Sequence, residues 1–461
     1  MCNGLAVAHV SSLIISCSSL RIPMSVLLNI PSELASHILS KWVDISAVRR
    51  VDIAHCSPSS RPTLMAIYND TVLRCEVNHS KIHMHILIQW MISRNVRISS
   101  LLVAFPQFTL KWFNLLKALV RRAGSHLRQV EIIGEFRGFS ALLTCLTESC
   151  PNIETLLLEN CTISQTKPFG MLLTRSTHLT RLEMIECTEV DSLQLDDITC
   201  SSLSKLVIRC GLEIRGLARA IVRASPVLQE FVQVSDDVDM SVFPATMKAF
   251  RFYACGVFTG FGEDVSFPDA QQVLLDECGI TDSNLAKLVA ACPNVSKFSL
   301  SLMHDITLEN VALVESFGPK LTSLTMYSCH GLGELAVEAV LQRCRALHTL
   351  NIINSAFFHD TTVYQVLLDS CPLIRRICLD MNDLSDDTLR TLTAVTQLTH
   401  VSIYQAFGFS AVGLAALLTI CTGLTELITD SDSITPEAMS YVKELHPDLN
   451  LTPQSLFMGY R

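Results

Sequence analysis

A short apolar pattern that recurs along most of the chain constrains the fold more than any other feature. Its landmarks are spaced L-x-x-L-x-L-x-x-C, as in PKLTSLTMYSC from Pro319. Internal repeats of this length indicate an array of small structural units that stack on one another. In the second half of the chain, successive copies begin 24 to 27 residues apart. The clearest copies begin at Pro151, Thr177, Pro268, Pro293, Pro319, Arg345, Pro372 and Thr396.

Each copy combines a strand with a helix that follows it. Leu324 and Met326 alternate with polar residues, which is the period of a strand with one buried face. The stretches DSNLAKLVAAC and ELAVEAVLQRC then carry apolar residues at helical spacing. One such unit cannot bury its apolar side alone, so neighbours must cover it. In the second stretch, the residues predicted to cover the core are Leu335, Val337, Ala339, Val340 and Leu341.

This pattern resembles the leucine-rich repeat in its cysteine-containing variety. The resemblance implies an α/β solenoid, a horseshoe with parallel strands on the concave face and helices on the convex face. We predict about a dozen units within residues 125–451, by the recurrence rule. Only 18 residues separate Pro226 from Pro244, and the DDVDM run between them is predicted to form a loop in place of a helix. Such a loop arises by drift or serves as a binding loop.

Eleven of the 18 cysteines recur at fixed places in these copies, which favours small buried fillers over disulfides. No C-x-x-C pair occurs, so the common zinc and thioredoxin motifs are absent. Free thiols suit a reducing compartment, and we expect a cytoplasmic or nuclear location, or both. Cysteines just before a strand are Cys150, Cys292, Cys344, Cys371 and Cys421; those just after one are Cys161, Cys187, Cys210, Cys255, Cys278 and Cys329.

Composition and charge limit the class of protein. Since 49% of residues are apolar and only 17% are charged, wholesale disorder is excluded. No run of 18 uninterrupted apolar residues occurs, so no transmembrane helix is predicted. Residues 1–128 carry 14 Lys or Arg against 5 Asp or Glu, a formal charge of +9, and the remainder is −18. The asymmetry reflects two differently solvated surfaces, or a basic end that meets an acidic partner.

The chain divides into five predicted segments. LAVAHVSSLIISCSSL, from Leu5 to Leu20, is similar to a signal-peptide core, but no Lys or Arg precedes Arg21. The alternative to a signal peptide is a disordered extension, or translation that starts at Met24. ISSLLVAF from Ile98 is predicted as a first strand, and FNLLKALVRR from Phe113 as its covering helix. The segments are an extension at 1–24, F-box-like helices at 25–60, a helical linker or cap at 61–124, repeats at 125–451 and a tail at 452–461.

Alternate positions of each strand are predicted to face outward on the concave side. Arg181, Lys205, Arg209 and Arg251 fall on such positions of neighbouring strands, where they could hold an acidic or phosphorylated peptide. Surface ion pairs with Glu159 and Glu183 are the alternative for this cluster. Tyr and Arg are favoured interface anchors. The predicted target-binding residues are Arg181, Lys205, Arg209, Arg251, Tyr253, Lys297, Tyr327, Asn351, Arg376, His400 and Tyr404.

Candidate catalytic features are sparse, and we expect a protein that is not an enzyme and binds no cofactor or metal. The chain has no P-loop, no G-x-S-x-G and no H-E-x-x-H. His79, His83 and His85 form the nearest approach to a metal-binding cluster, and surface or half-buried imidazoles on a helix are the alternative. Asp386 and Asp387 are predicted to cap the helix that follows them.

Near the N-terminus, IPSELASHIL is predicted as an amphipathic helix with Pro31 in its first turn. A second helix is predicted over ISAVRRVDIAH and must end before Pro58. The whole stretch IPSELASHILSKWVDISAVRRVDIAHC resembles an F-box, whose usual opening is Leu-Pro-x-Glu. It departs from that family at Ala47, where an acidic residue is usual, and in the absence of a Trp after Cys56. The residues predicted to dock on an adaptor are Ile30, Pro31, Glu33, Leu34, Ile38, Leu39 and Val48.

The order of F-box and repeats resembles the F-box/leucine-rich-repeat proteins. The resemblance implies the substrate receptor of an SCF-type ubiquitin ligase, in which the F-box docks on an acidic Skp-type adaptor of a cullin complex. The repeats would hold an unknown protein target, with neither nucleic acid nor membrane as partner. Two alternatives remain: a non-catalytic interaction scaffold with no ligase role, and an extracellular receptor fragment, which the unpaired cysteines disfavour.

Overall fold

The computed structural model describes two short N-terminal strands and most of residues 72–453. The residues predicted to dock on an adaptor, at positions 30–48, lie outside the described residues. Within 72–453 the undescribed positions are 79–83, 105–109, 136–137, 164–165, 190–197, 211–214, 235–236, 304–305, 307–318, 330–333, 355–360, 382–383, 404–405, 407, 430–439, 441 and 445. The chain divides into two compact units, Met1–Leu228 and Gln229–Arg461.

The first unit contains a ladder of parallel strands in sequence order, β3-β4-β5-β6-β8-β10. Strands β1 and β2 form an antiparallel pair inside the segment predicted to be a disordered extension, and β7 pairs in parallel with β9. The strands are β1 Ile14–Ser16, β2 Arg21–Pro23, β3 Val72–Asn78, β4 Arg97–Ala104, β5 Gln129–Ile133, β6 Thr155–Glu159, β7 Thr162–Ile163, β8 Arg181–Ile185, β9 Thr188–Glu189 and β10 Lys205–Arg209. The described helices are α1 Met84–Ser93, α2 Leu110–Ala123, α3 Phe139–Ser149, α4 Thr166–Arg175 and α5 Arg215–Arg223.

The second unit repeats the same arrangement, with a parallel ladder β11-β13-β15-β16-β17-β18-β19-β20-β21-β22. The strands are β11 Glu230–Val234, β12 Val238–Asp239, β13 Ala249–Tyr253, β14 Phe258–Thr259, β15 Gln272–Asp276, β16 Lys297–Ser301, β17 Ser323–Tyr327, β18 Thr349–Ile353, β19 Arg376–Cys378, β20 His400–Ser402, β21 Glu426–Thr429 and β22 Asn450–Pro453. The described helices are α6 Asp282–Ala291, α7 Glu334–Arg343, α8 Thr361–Ser370, α9 Asp386–Leu392 and α10 Ala411–Ile420. Each unit therefore shows the α/β repeat that the pattern predicts.

The repeat phase read from the sequence is confirmed. Every clear copy places its strand four residues after the copy begins, as β17 follows Pro319. The alternating residues Leu324 and Met326 are buried, and those between them are half-buried. Burial of one such leucine stabilises the fold by about 1.5–3 kcal/mol. Because the strands pair residue for residue, these side chains form continuous buried rows within each unit.

Two details of the predicted elements are wrong. Leu335, the second residue of α7, is 82% exposed instead of covering the core. Of the other predicted helix residues, Val337, Val340 and Leu341 are buried and Ala339 is half-buried. The first strand of the ladder is β3 and not the stretch from Ile98, since VLRCEVN alternates without the leucine spacing that marks the other copies.

A cluster of phenylalanines in the second unit occupies the place where other repeats have helices. As predicted, the described residues of the DDVDM run, 237–240, form no α-helix: they include β12 and begin a 3₁₀ turn at Met240–Val242. The stretch from β13 to β15 also contains only the short strand β14. Edge-to-face ring contacts of 4.9–5.4 Å join the rings, which bury a large area in little chain length. The participating residues are Phe231, Phe243, Phe250, Phe252, Phe258 and Phe267.

Seven of the described strands in the two ladders are followed by one residue with left-handed backbone, which turns the chain out of the sheet. Its N–H donates to the carbonyl that ends the next strand, at 2.7–3.0 Å, so each turn is tied to its neighbour. Such a φ costs a residue other than glycine about 1–2 kcal/mol. The residues, with φ between 48° and 54°, are Asn160, Glu186, Ala254, Glu277, Leu302, Ser328 and Asn354.

We predict that Glu277→Gly unfolds at a higher urea concentration than Glu277→Ala. Both variants lose the same carboxylate, but only glycine relieves the left-handed strain at this position, a difference of up to about 1 kcal/mol. Ser299, in the middle of β16, provides the control, because glycine there is less stable than alanine by about 0.5–1 kcal/mol. Equal midpoints for the two Glu277 variants would show that this turn is not strained.

The predicted capping role of Asp386 is replaced by a different contact. Ser385 caps α9, since its side chain accepts the N–H of Thr388. Asp386 instead accepts the backbone N–H and the hydroxyl of Ser410, both at 2.7 Å, at the N-terminus of the next helix, α10. These hydrogen bonds lower the pKa of the Asp386 carboxyl. A side chain at Gly413 would collide with this carboxylate, so the contact also requires a glycine at position 413 of α10.

We predict that Asp386→Asn lowers the melting temperature at pH 7 and that the deficit shrinks in acid. A depressed folded-state pKa contributes stability above the unfolded pKa of about 3.9 and loses it as pH falls through the folded value. Melting curves of wild type and variant between pH 7 and pH 3 measure this convergence. Asp387→Asn is the matched control, because Asp387 makes only an exposed pair with Arg390. A deficit independent of pH would rule out the charge as its origin.

Candidate functional site

The outward positions of the strands form an open face on each unit, and most predicted target-binding residues lie on it. In the first unit, Arg181 and Arg209 are exposed and Lys205 is half-buried. In the second unit, Lys297 and Arg376 are exposed. Tyr404 lies outside the described residues. The predicted residues that are half-buried on the open face of the second unit are Arg251, Tyr253, Tyr327, Asn351 and His400.

The strict alternation predicted for outward positions fails at several places. Val207, Ile353, Asp380 and Ser402 are all less than a tenth exposed, although each occupies an outward position. Ser402 donates its hydroxyl to Asp380 at 2.5 Å, so the two polar residues satisfy each other in a buried pair. At these positions the open faces therefore expose less polar surface than the sequence indicates.

The predicted cationic cluster is divided and partly neutralised. Arg181 donates through Nε to the Glu183 carboxylate at 2.5 Å. This contact is one of the surface ion pairs predicted as the alternative to a peptide-binding cluster. Arg209 occupies the far end of β10, four residues beyond Lys205. Arg251 lies on β13 in the second unit and donates to Gln272 at 3.3 Å. Within the first unit, Lys205 and Arg209 therefore lie at opposite ends of β10 and do not form one anion site.

Two contacts organise the middle and the end of the second face. Asn351 donates to Thr325 Oγ1 at 3.0 Å, which fixes the amide across two strands. His400 lies 3.3 Å from Glu426 on the next strand. Both residues belong to the predicted set, and both are engaged with neighbours on the face. They are therefore positioned by the sheet itself before any partner arrives.

Sequence reasoning missed one side chain on this face, Asp276. It pairs in register with Tyr253 on one side and Ser301 on the other, and Ser301 pairs with Tyr327. Asp276 Oδ1 is buried and has no hydrogen-bond partner among the described residues. The sequence places Asp276 at an outward position. It was not among the predicted target-binding residues, because those were chosen mainly as tyrosines and cations. The four side chains form one row at the ends of β13, β15, β16 and β17.

The described cysteines of the repeats are buried except for Cys378, as the repeat positions predict, and burial makes several of them poor nucleophiles. Burial raises the pKa of Cys292 and Cys344 to about 12 and that of Cys329 to about 11. Cys378 is half-buried on the open face, and burial, together with the nearby Asp380 carboxylate, raises its pKa well above the usual range. Since a thiolate is the reactive form, these thiols are inert at neutral pH.

Metal ligands and membrane spans were sought among the described residues. No group of three or more His, Cys, Asp or Glu side chains lies close enough there to hold a metal ion. Of the predicted histidine cluster, His79 and His83 fall outside the described residues, and nothing is described of the His85 side chain. Within the described part of the chain, no helix is long and apolar enough to cross a membrane.

No protein-family model matches this chain, and no curated protein matches its sequence. Among solved structures, it is similar to a leucine-rich-repeat protein of Leptospira interrogans, with 12% identity and a TM-score of 0.42. That similarity covers 85% of this chain and 91% of the other. The assignment of the fold rests on the strand order and register within each unit.

We predict that iodoacetamide at pH 8 leaves Cys292 and Cys344 almost unlabelled in the folded protein. With a pKa of about 12, only about one thiol in ten thousand is ionised at that pH, and both side chains are buried. Mass spectrometry of the proteolytic peptides measures labelling at each cysteine, and the same protein in guanidinium provides complete labelling as control. Rapid labelling under native conditions would contradict the buried position.

Proposed function

We propose that this chain is a non-catalytic receptor that binds a protein partner on the open face of its repeats. The observation that carries the proposal is the row of Tyr253, Asp276, Ser301 and Tyr327. It combines aromatic rings, a carboxylate and small hydroxyl side chains on a rigid sheet. Tyrosines that are half-buried on such a surface bring large contact area at low entropic cost, which suits them as interface anchors.

The chemistry of the described residues supports binding more than reaction. Burial raises the pKa of thiols such as Cys292, and the carboxylate of Asp380 is engaged with Ser402. Arg181 and His400 face carboxylates of neighbouring or same-strand residues. These groups stabilise the sheet surface, and none of them is set up as an activated nucleophile or base.

The finer proposal is that the receptor serves an SCF-type ubiquitin ligase. Its support is the F-box-like stretch from Ile30 to Cys56, followed by cysteine-type repeats. The basic charge of residues 1–128 suits an acidic Skp-type adaptor. In this role the chain supplies proximity: it holds the target near a conjugating enzyme, and other subunits transfer ubiquitin. An interaction scaffold without ligase partners is the second candidate, because a scaffold would bind its partner on the same open face.

Co-purification with a Skp-type adaptor separates these two candidates. We expect the wild-type chain to retain the adaptor and the double variant Pro31→Ala/Leu34→Asp to lose at least 90% of it. The reason is that a charge in the apolar stripe of the docking helix costs about 1–3 kcal/mol or more of binding free energy. Quantitative immunoblotting of the adaptor after capture of the tagged chain gives the measurement.

Leu335→Asp is the matched control for that experiment. It places the same charge on a highly exposed leucine of the second unit, so we expect it to keep the adaptor. If wild type retains no adaptor, the ligase role fails and the scaffold remains. If the double variant and Leu335→Asp lose the adaptor equally, the docking helix is not the contact.

A further inference from the structure

We infer that the open face of the second unit contains a notch that takes the guanidinium group of an arginine from the protein partner. The notch lies above Ser301, with Asp276 on the preceding strand and Tyr327 on the following strand as its walls. This inference rests on the proposed function, because it supplies the chemistry of the partner that the face would bind.

The shape of the notch follows from strand register. Asp276, Ser301 and Tyr327 are paired residue for residue on β15, β16 and β17. Neighbouring strands lie about 4.8 Å apart, so the two walls stand about 10 Å from each other at their backbones. Ser301, and Ser299 two residues before it, are small and only half-buried. The gap between the walls is therefore one strand wide, enough for a flat side chain and too narrow for a helix.

The charge of the notch is uncompensated within the described residues. Asp276 Oδ1 is shielded from solvent and receives no hydrogen bond there. A buried carboxylate oxygen without a donor is unfavourable, and a cation at the remaining accessible side of the group offsets part of that cost. Glu277, the next residue, is exposed and follows the end of β15, so it is not a wall of the notch.

The cations of the same face are directed elsewhere. Arg251, on the strand beside Asp276, donates to Gln272 near the start of β15. Lys297 begins β16, four residues before Ser301, which places it about 13 Å away along the strand. At the described ends of β13, β15, β16 and β17 there is no Lys or Arg. The notch therefore attracts a positive group from outside the described part of the chain.

Arginine fits this site better than lysine. A guanidinium is planar, donates to a carboxylate in a fixed fork and stacks on an aromatic face, so one group can engage Asp276 and Tyr327 together. The ammonium of lysine is a point charge and cannot make both contacts in one plane. Tyr253, on the far side of Asp276, adds apolar contact for the residues that flank the arginine in the partner.

Selection from a displayed library of random twelve-residue peptides on the full-length chain tests the inference. We expect wild type to enrich peptides with an arginine, and a synthetic peptide from that pool to bind at least tenfold more weakly when the arginine is replaced by glutamine. With Asp276→Asn, the same replacement in the peptide should change binding less than twofold, as measured by fluorescence polarisation. Glu277→Gln removes a neighbouring exposed carboxylate and is expected to keep the arginine preference.

A second variant tests the space rather than the charge. Ser301→Leu fills the notch and leaves Asp276 in place, so it should also abolish the arginine preference. Thermal melting of each variant excludes unfolding as the cause. The inference is overturned if enriched peptides carry no arginine preference, or if the preference survives both Asp276→Asn and Ser301→Leu. Capture of the Skp-type adaptor is independent of this result, so failure of the notch and failure of the ligase role are distinguishable.

Discussion

Hydrogen bonds between the backbones of successive repeats fix the position of every side chain on the two sheets. Before each strand, one carbonyl accepts two N–H groups of the next repeat: Ser296 O receives Thr322 N at 2.8 Å and Ser323 N at 3.0 Å. After the strand, the left-handed residue donates to the following strand end. A strand that makes both sets of bonds, such as β17, is thereby tied at both ends. A shift by one residue would exchange the buried and outward faces, which the buried leucine rows forbid.

The repeat phase was predictable because it depends on local spacing. Leucines at a period of two define the strand, and a cysteine or proline on either side marks its ends, so the strand boundaries follow from the copies. The cysteines were predictable for the same reason, since only a small apolar side chain fits where successive turns stack. β3 was not predicted as a strand, because its residues alternate without the leucine spacing of the other copies. Its pairing with β4 identifies it as the first strand of the ladder.

The open face was predictable only in part, because outward position does not determine exposure. Val207 and Ile353 occupy outward positions and are nevertheless buried, and burial of such apolar side chains is itself favourable. Asp380 is buried for a different reason: Ser402 on the neighbouring strand supplies its hydrogen bond. Such pairings depend on which residues the register places side by side, and Arg181 with Glu183 shows the same dependence within one strand. A list of outward residues cannot contain this information.

The helix-poor stretch of the second unit has a consequence for the row at Asp276. β13 and β15, which carry Tyr253 and Asp276, are backed by phenylalanine rings instead of a helix for much of this stretch. Edge-to-face rings in a close-packed cluster resist rearrangement, because any ring that moves leaves a cavity. A rigid backing lets a partner meet the tyrosine and the carboxylate in place, so little binding free energy is lost in ordering them. The irregular repeats thus support the row of side chains best suited to hold a partner.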